Sequence, residues 1–148
     1  PPPLIPGEII PAEGEIVPGA SLPPLAVNDQ FDRPVTLDAG TRFLLFAADK
    51  AAGDLATDAL KAQPELLAQQ RIVYIADISG MPAVITRMFA LPKWRELPFP
   101  VGLVRDAQLT ATLPRKPGQL TLLTLEQGKV KGVDYLVDAK ALRQRFGI

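Results

Sequence analysis

The sequence predicts an α/β domain built on a mixed central β-sheet with an N-terminal β-hairpin extension. Two short runs, RFLLFA at 42–47 and IVYIADI at 72–78, are almost unbroken in apolar residues, as in strands buried on both faces. Each is followed by residues at helical spacing, and right-handed crossovers of that kind set neighbouring strands parallel. The chain then ends in a second β-hairpin and one more helix pattern, which adds antiparallel strands to the parallel pair.

Two parts divide the chain: an arm over residues 1–24 and a folded domain over 25–148. The arm, PPPLIPGEIIPAEGEIVPGASLPP, holds eight of the sixteen prolines, three glutamates and no basic residue. Proline cannot donate to a sheet ladder and favours an extended backbone, so the arm either runs over a surface or serves as a linker. Its apolar pairs Ile9, Ile10 and Ile16, Val17 favour partial docking, on its own domain or on a neighbour's.

Within the domain, Leu25 to Val27 and Pro34 to Leu37 flank the turn formers Asn28 and Asp29, a hairpin pattern. The run at 42–47 follows as a central parallel strand. From Asp54, Leu55, Ala59, Ala62 and Leu66 recur near helical spacing, with Asp54 and Asp58 early, where a helix dipole favours acids, and a break near Pro64. After the strand at 72–78, Ser79 or Gly80 can cap a helix in which Met81, Val84, Ile85 and Met88 mark one buried face. That helix is expected to end before Pro92. A short strand at 101–104 follows the loop LPKWRELPFP. Leu120–Leu125 and Val130–Val137 make the closing hairpin, and Asp138 caps a last helix to Phe146, with Val137 and Leu142 placed as a hydrophobic staple.

Composition excludes whole classes of activity. The sequence has neither cysteine nor histidine, so thiol redox relays, His-based triads and Cys/His zinc sites are all ruled out. Lysine plus arginine equals aspartate plus glutamate at 16 each, which gives no global positive field to gather nucleic acid. No apolar run approaches the roughly 20 residues of a membrane-spanning helix. No G-x-G-x-x-G lies between a strand and a helix, so no nicotinamide or flavin dinucleotide is expected as cofactor, and no metal site stands out.

At this level the layout over about Leu25 to Ile148 resembles the peroxiredoxin and thiol-disulfide oxidoreductase branch of the thioredoxin superfamily. LAVNDQFDRPVTL is similar to the opening hairpin of that branch and RFLLFAAD to its first core strand. PVGLVRDAQLTA and LTLLTLEQGKV resemble its later strands. The resemblance implies a thioredoxin-like three-layer sandwich. It also implies where the redox CxxC would stand: counting forward from Phe46 places it at Ala51, Ala52, Gly53 and Asp54, with no sulfur. The family's proline before the hairpin strand has no clean counterpart, because Pro117 lies about two residues early and Gln119 holds the nearest equivalent place. Short exported bacterial proteins without cysteine are similar in layout, although a flavin-dehydrogenase activity finds no support in these residues. Export to the periplasm or beyond is therefore expected, in keeping with a proline-rich start of the kind a cleaved precursor leaves.

In open parallel sheets ligands bind beyond the carboxyl ends of the strands. Asp49, Lys50, Asp54, Asp77, Ser79 and Asp106 fall there, and can line an edge for a small ligand or a cation or simply cap helices and fix turns. Arg115 and Lys116 form a basic turn that either meets an anion or stays solvated. Trp94 and Phe99, in the proline-bounded loop, are either recognition anchors or core. Two functions follow. In the first, the chain is a noncatalytic module that binds a protein or peptide, with the arm able to make a homodimer by adding a strand to a neighbouring sheet. In the second it is a small-ligand or cation binder, or an enzyme, using the carboxylate-lined edge.

Overall fold

The computed structural model describes residues 16–22 and 25–148. The strands are β1 (Ala26–Asn28), β2 (Pro34–Thr36), β3 (Phe43–Ala47), β4 (Ile72–Asp77), β5 (Gly102–Val104), β6 (Leu120–Glu126) and β7 (Lys129–Leu136). They form one sheet in the order β2-β1-β5-β4-β3-β6-β7. β3, β4 and β5 are parallel, with Leu45 opposite Tyr74 and Ala76 opposite Leu103. β6 pairs antiparallel with β3 and with β7, and the β1–β2 hairpin joins the other side through β5. The mixed sheet, the hairpin extension and the parallel centre agree with the sequence reading.

Every residue of β3 is buried, and its side chains alternate between two clusters. Phe43, Leu45 and Ala47 join the cluster under the helices α1 (Lys50–Lys61), α2 (Leu66–Gln69) and α5 (Ala139–Arg145). Leu44 and Phe46 join the cluster on the other face, covered by Ile16, Leu25 and Leu113. The three layers are thus helices, sheet, and a cover made by the end of the arm, the hairpin and the segment near residue 113. Ala52, Ala56 and Ala59 are fully buried, and their small side chains bring α1 close to the sheet.

Ile9 and Ile10 lie outside the described residues. Of the second pair, Ile16 is buried and Val17 exposed. Residues 16–22 run beside the start of β7: Gly19 N–H donates to the Val130 carbonyl at 2.7 Å, and Ser21 forms an antiparallel bridge with Lys129. This described end of the arm docks on its own domain.

Several elements differ from the sequence reading. Helix α1 begins at Lys50, not near Asp54, because Asp49 caps it by accepting the Ala52 N–H at 2.9 Å. Asp54 therefore sits in the second turn, where its carboxylate meets Lys50 Nζ at 2.8 Å. The helix expected to stop before Pro92 instead runs on as α3 (Ala83–Ile85), a π-helical turn (Thr86–Ala90) and α4 (Leu91–Trp94). Proline 92 has no N–H to give, and the wide turn accommodates it: Leu91 N–H bonds the Thr86 carbonyl, five residues back. The widened turn also defeats the simple helical spacing, so Val84, Ile85 and Met88 are exposed rather than forming a buried face, while Met81 packs against the core. A 3₁₀ turn at Ala107–Thr110, absent from the pattern reading, follows β5. Asp138 caps α5 as expected, yet Val137 is exposed and makes a poor staple for the buried Leu142.

Gln30 ties the hairpin to the 94–101 loop. It is almost wholly buried; its amide nitrogen donates to the carbonyls of Phe99 (2.8 Å) and Trp94 (3.1 Å), and its Oε1 accepts from Val101 N–H at 2.8 Å. Gln30→Leu would strand the Phe99 carbonyl and the Val101 N–H, while the Trp94 carbonyl keeps the Leu97 N–H, and two buried unpaired groups of that kind cost on the order of 3 kcal/mol together. Urea unfolding of the variant should show a loss of that size with an unchanged m-value; an unaltered midpoint would contradict the tie.

Candidate functional site

Beyond the carboxyl ends of β3 and β4 lies a cavity of about 720 Å³. One wall is the first turns of α1, a second is the turn after β4, and the third is the segment from Met81 to Trp94. The sheet dictates this position, since the parallel strands end there and the chain leaves for helices on one face.

The structure brings Asp49, Lys50, Asp54, Asp77 and Ser79 together around this cavity, with Trp94 on the opposite side. Their polar atoms are largely engaged. Both Asp49 oxygens accept backbone N–H groups, Oδ1 from Ala52 and Oδ2 from Gly118 at 2.8 Å. Asp77 Oδ1 accepts from Ser79 N–H at 2.8 Å and its Oδ2 faces an Arg115 guanidinium nitrogen at 4.0 Å. Asp54 is paired with Lys50 on an exposed surface.

Four of the sequence-selected residues lie elsewhere. Asp106 is not in the cavity wall; it caps the 3₁₀ turn by accepting Gln108 N–H at 3.0 Å. Asp49, Asp77 and Asp106 therefore do not share one pocket, and among the described residues no group of three acidic side chains is placed to hold a metal ion. Arg115 is spent as a brace, donating to the carbonyls of Thr110 and Leu113 with its guanidinium 4.9 Å from the centre of the buried Phe46 ring. Lys116 lies over Tyr135, 4.4 Å from the ring centre, so the basic turn offers no open fork to an anion. Phe99 is core rather than a recognition anchor. Trp94 packs against the core and also lines the cavity.

Sequence reasoning passed over the residues that give the cavity its character. Ile85 and Phe89 stand 42% and 59% exposed on its outer wall. Tyr74, only 3% exposed, lines the cavity from β4 beneath α1. Its hydroxyl has no hydrogen-bond partner among the described residues. Alternation along IVYIADI would have shown that Tyr74 shares a face with Ile72, although which face meets α1 was not legible locally.

Burial, and secondarily the negative charge of Asp54, hold the Tyr74 phenol well above the ordinary tyrosine range. It is a neutral donor at physiological pH. Because the folded value is raised, the stability that goes with neutral Tyr74 is intact below about pH 10 and is lost as pH climbs through the folded value. An ultraviolet titration should show a phenol ionising late, coincident with alkaline unfolding, and this component should vanish in Tyr74→Phe. Ionisation of every phenol in the ordinary range would contradict the burial argument.

No protein-family model matches the sequence, and no curated protein matches it. Solved structures do resemble it in fold. Peroxidoxin BcpB from Mycobacterium tuberculosis aligns with a TM-score of 0.57 at 16% identity, over 88% of this chain and 97% of that one. A thio-disulfide isomerase from Thermus thermophilus aligns with 0.54 at 19% identity, over 88% and 95%. A peroxiredoxin-like protein from Aquifex aeolicus aligns with 0.53 at 11% identity, over 84% and 79%. The chain has a thioredoxin-like fold of the kind found in peroxiredoxins and thiol-disulfide oxidoreductases, and it has no cysteine.

The positions to which the count from Phe46 assigns a CxxC, 51–54, lie in the first turns of α1, whose start is capped by Asp49.

Proposed function

We propose that this protein is a redox-inactive binding module that takes a peptide or protein segment in the cleft between α1 and the 81–94 segment. The observation that carries the reading is the pairing of an open apolar wall, Ile85 and Phe89, with carboxylates whose oxygens are already engaged. Exposed large side chains beside a concave site are the usual mark of recognition. Acid–base catalysis needs a free, poised group, and Asp49 and Asp77 offer neither in this arrangement. The carboxylate-edge reading loses ground for the same reason, and because Asp106 lies outside the cavity wall, capping a 3₁₀ turn.

Panning a random peptide display library on the pure chain tests this. Peptides with aromatic or aliphatic anchors should be enriched on the native protein and weakened at least tenfold by Phe89→Asp, which puts a charge on the apolar wall. Absence of enrichment, or equal binding by the variant, would overturn the reading, as would insulin disulfide reduction by the pure protein.

The same reading places the protein in the cell envelope, supported by the layout shared with thiol-disulfide proteins and by the lack of cysteine. Among the described residues no helix is long and apolar enough to cross a membrane. Osmotic-shock fractionation of native cells should release the protein with periplasmic markers; retention with cytosolic markers would reject this placement. Homodimerisation through the arm is a separate proposal and draws no support from residues 16–22, which lie along their own β7.

A further inference from the structure

Tyr74 is only 3% exposed, and its hydroxyl, bonded to no described residue and open to the cavity, is a directed donor at the base of a concave, largely apolar site. The backbone above it is shaped to leave that hydroxyl reachable. Gly53 sits inside α1, where glycine is the poorest residue after proline. A Cβ built there would meet nothing within 4 Å except the Tyr74 oxygen, at 3.9 Å. The missing side chain keeps open the space over the phenol.

The surrounding groups define what fits. Met81, Phe89 and Trp94 supply apolar walls. Asp49, Asp54 and Asp77 line the same cavity with Lys50 and Lys93, a lining with one more negative than positive charge that disfavours an anion; both Asp49 oxygens accept N–H groups, Asp77 accepts from Ser79 and Asp54 is paired with Lys50. The donor that faces the cavity calls for an acceptor, and an uncharged one suits this lining. We propose that the cavity admits an aromatic or aliphatic group bearing a neutral carbonyl-type acceptor, and that the Tyr74 hydroxyl donates to that acceptor in the space left by Gly53. This deepens the binding reading above and rests on it only for the choice of cleft. The acceptor could belong to a small molecule or to a peptide.

The test is a ¹⁵N–¹H NMR titration of the full chain with four probes. They are acetophenone, ethylbenzene of similar shape without an acceptor, benzoate with a charged one, and N-acetylphenylalaninamide as the peptide-like source. Acetophenone should bind about fivefold more tightly than ethylbenzene, as one hydrogen bond provides, and benzoate should bind worst. Tyr74→Phe should reduce the acetophenone preference to near unity and leave ethylbenzene unchanged. Gly53→Ala, a substitution the helix favours, should weaken acetophenone and N-acetylphenylalaninamide while raising the melting temperature. Binding by N-acetylphenylalaninamide with the same Tyr74 dependence assigns a peptide source; binding by acetophenone alone assigns a small molecule. The proposal is overturned if the preference persists in Tyr74→Phe, if benzoate binds best, or if no probe shifts resonances around the cavity. Library peptides that bind independently of Tyr74 would reject the hydroxyl contact yet keep the peptide reading, and acetophenone selectivity without any peptide binding would do the reverse.

Discussion

Strand β3 has no solvent face. Its five residues are all buried, so each side of the sheet must be covered along its length, and the two covers are of different kinds. The helix layer is bound to one side by Phe43, Leu45 and Ala47, and the alanine face of α1 sets its distance from the strands. Leu44 and Phe46 demand a second cover, which Ile16, Leu25 and Leu113 provide. Burial of five such side chains contributes roughly 10 kcal/mol of gross hydrophobic free energy, enough to fix the register of everything packed against them. The position of the cavity follows, because β3 delivers the chain directly to Asp49 and the start of α1.

The coverage of the second face gives Arg115 its role. Its guanidinium lies against the Phe46 ring and holds the carbonyls of Thr110 and Leu113, so a basic residue closes the core beneath a loop. The same group stands 4.0 Å from Asp77 at the cavity, linking the two sides of the sheet at their common edge. Gln30 performs the corresponding task at the opposite corner, where it joins the hairpin loop to residues 94–101 and so supports Trp94 from behind.

The strands and the terminal helix were legible because their signals are local: apolar continuity in FLLFA, alternation in LTLLTL, and an aspartate ahead of AKALRQR. The start of α1 was not, since Lys50, Ala51 and Ala52 carry no amphipathic signal and only the capping geometry of Asp49 marks the boundary. Around Pro92 the sequence rule for helix termination was applied to a helix that could widen by one residue, and the tertiary fold chose the wider turn. Residues 49, 50, 54, 77 and 79, expected at one edge from strand order, line one cavity, whereas Asp106, expected with them, does not, and Trp94 was weighed only as a loop anchor or core. Tyr74 and Gln30 were missed because their importance comes from partners 20 to 70 residues away in sequence, or from the lack of one.

The head of α1 carries a carboxylate, which differs from a thiolate in more than reactivity. A thiolate at a helix N-terminus holds its charge in a balance that can be discharged by bond formation. The carboxylate of Asp49 is fixed as an acceptor, with one oxygen closing the first turn of α1 and the other holding Gly118. Those two bonds draw the loop before β6 onto the helix and engage the Ala52 and Gly118 N–H groups. Beside them lies the open space of the cavity, with its apolar wall at Ile85 and Phe89 and the Tyr74 hydroxyl in its lining. The scaffold thus has a cleft at the place where parallel-sheet domains bind, and the recognition proposed for it rests on shape, apolar contact and one directed hydrogen bond.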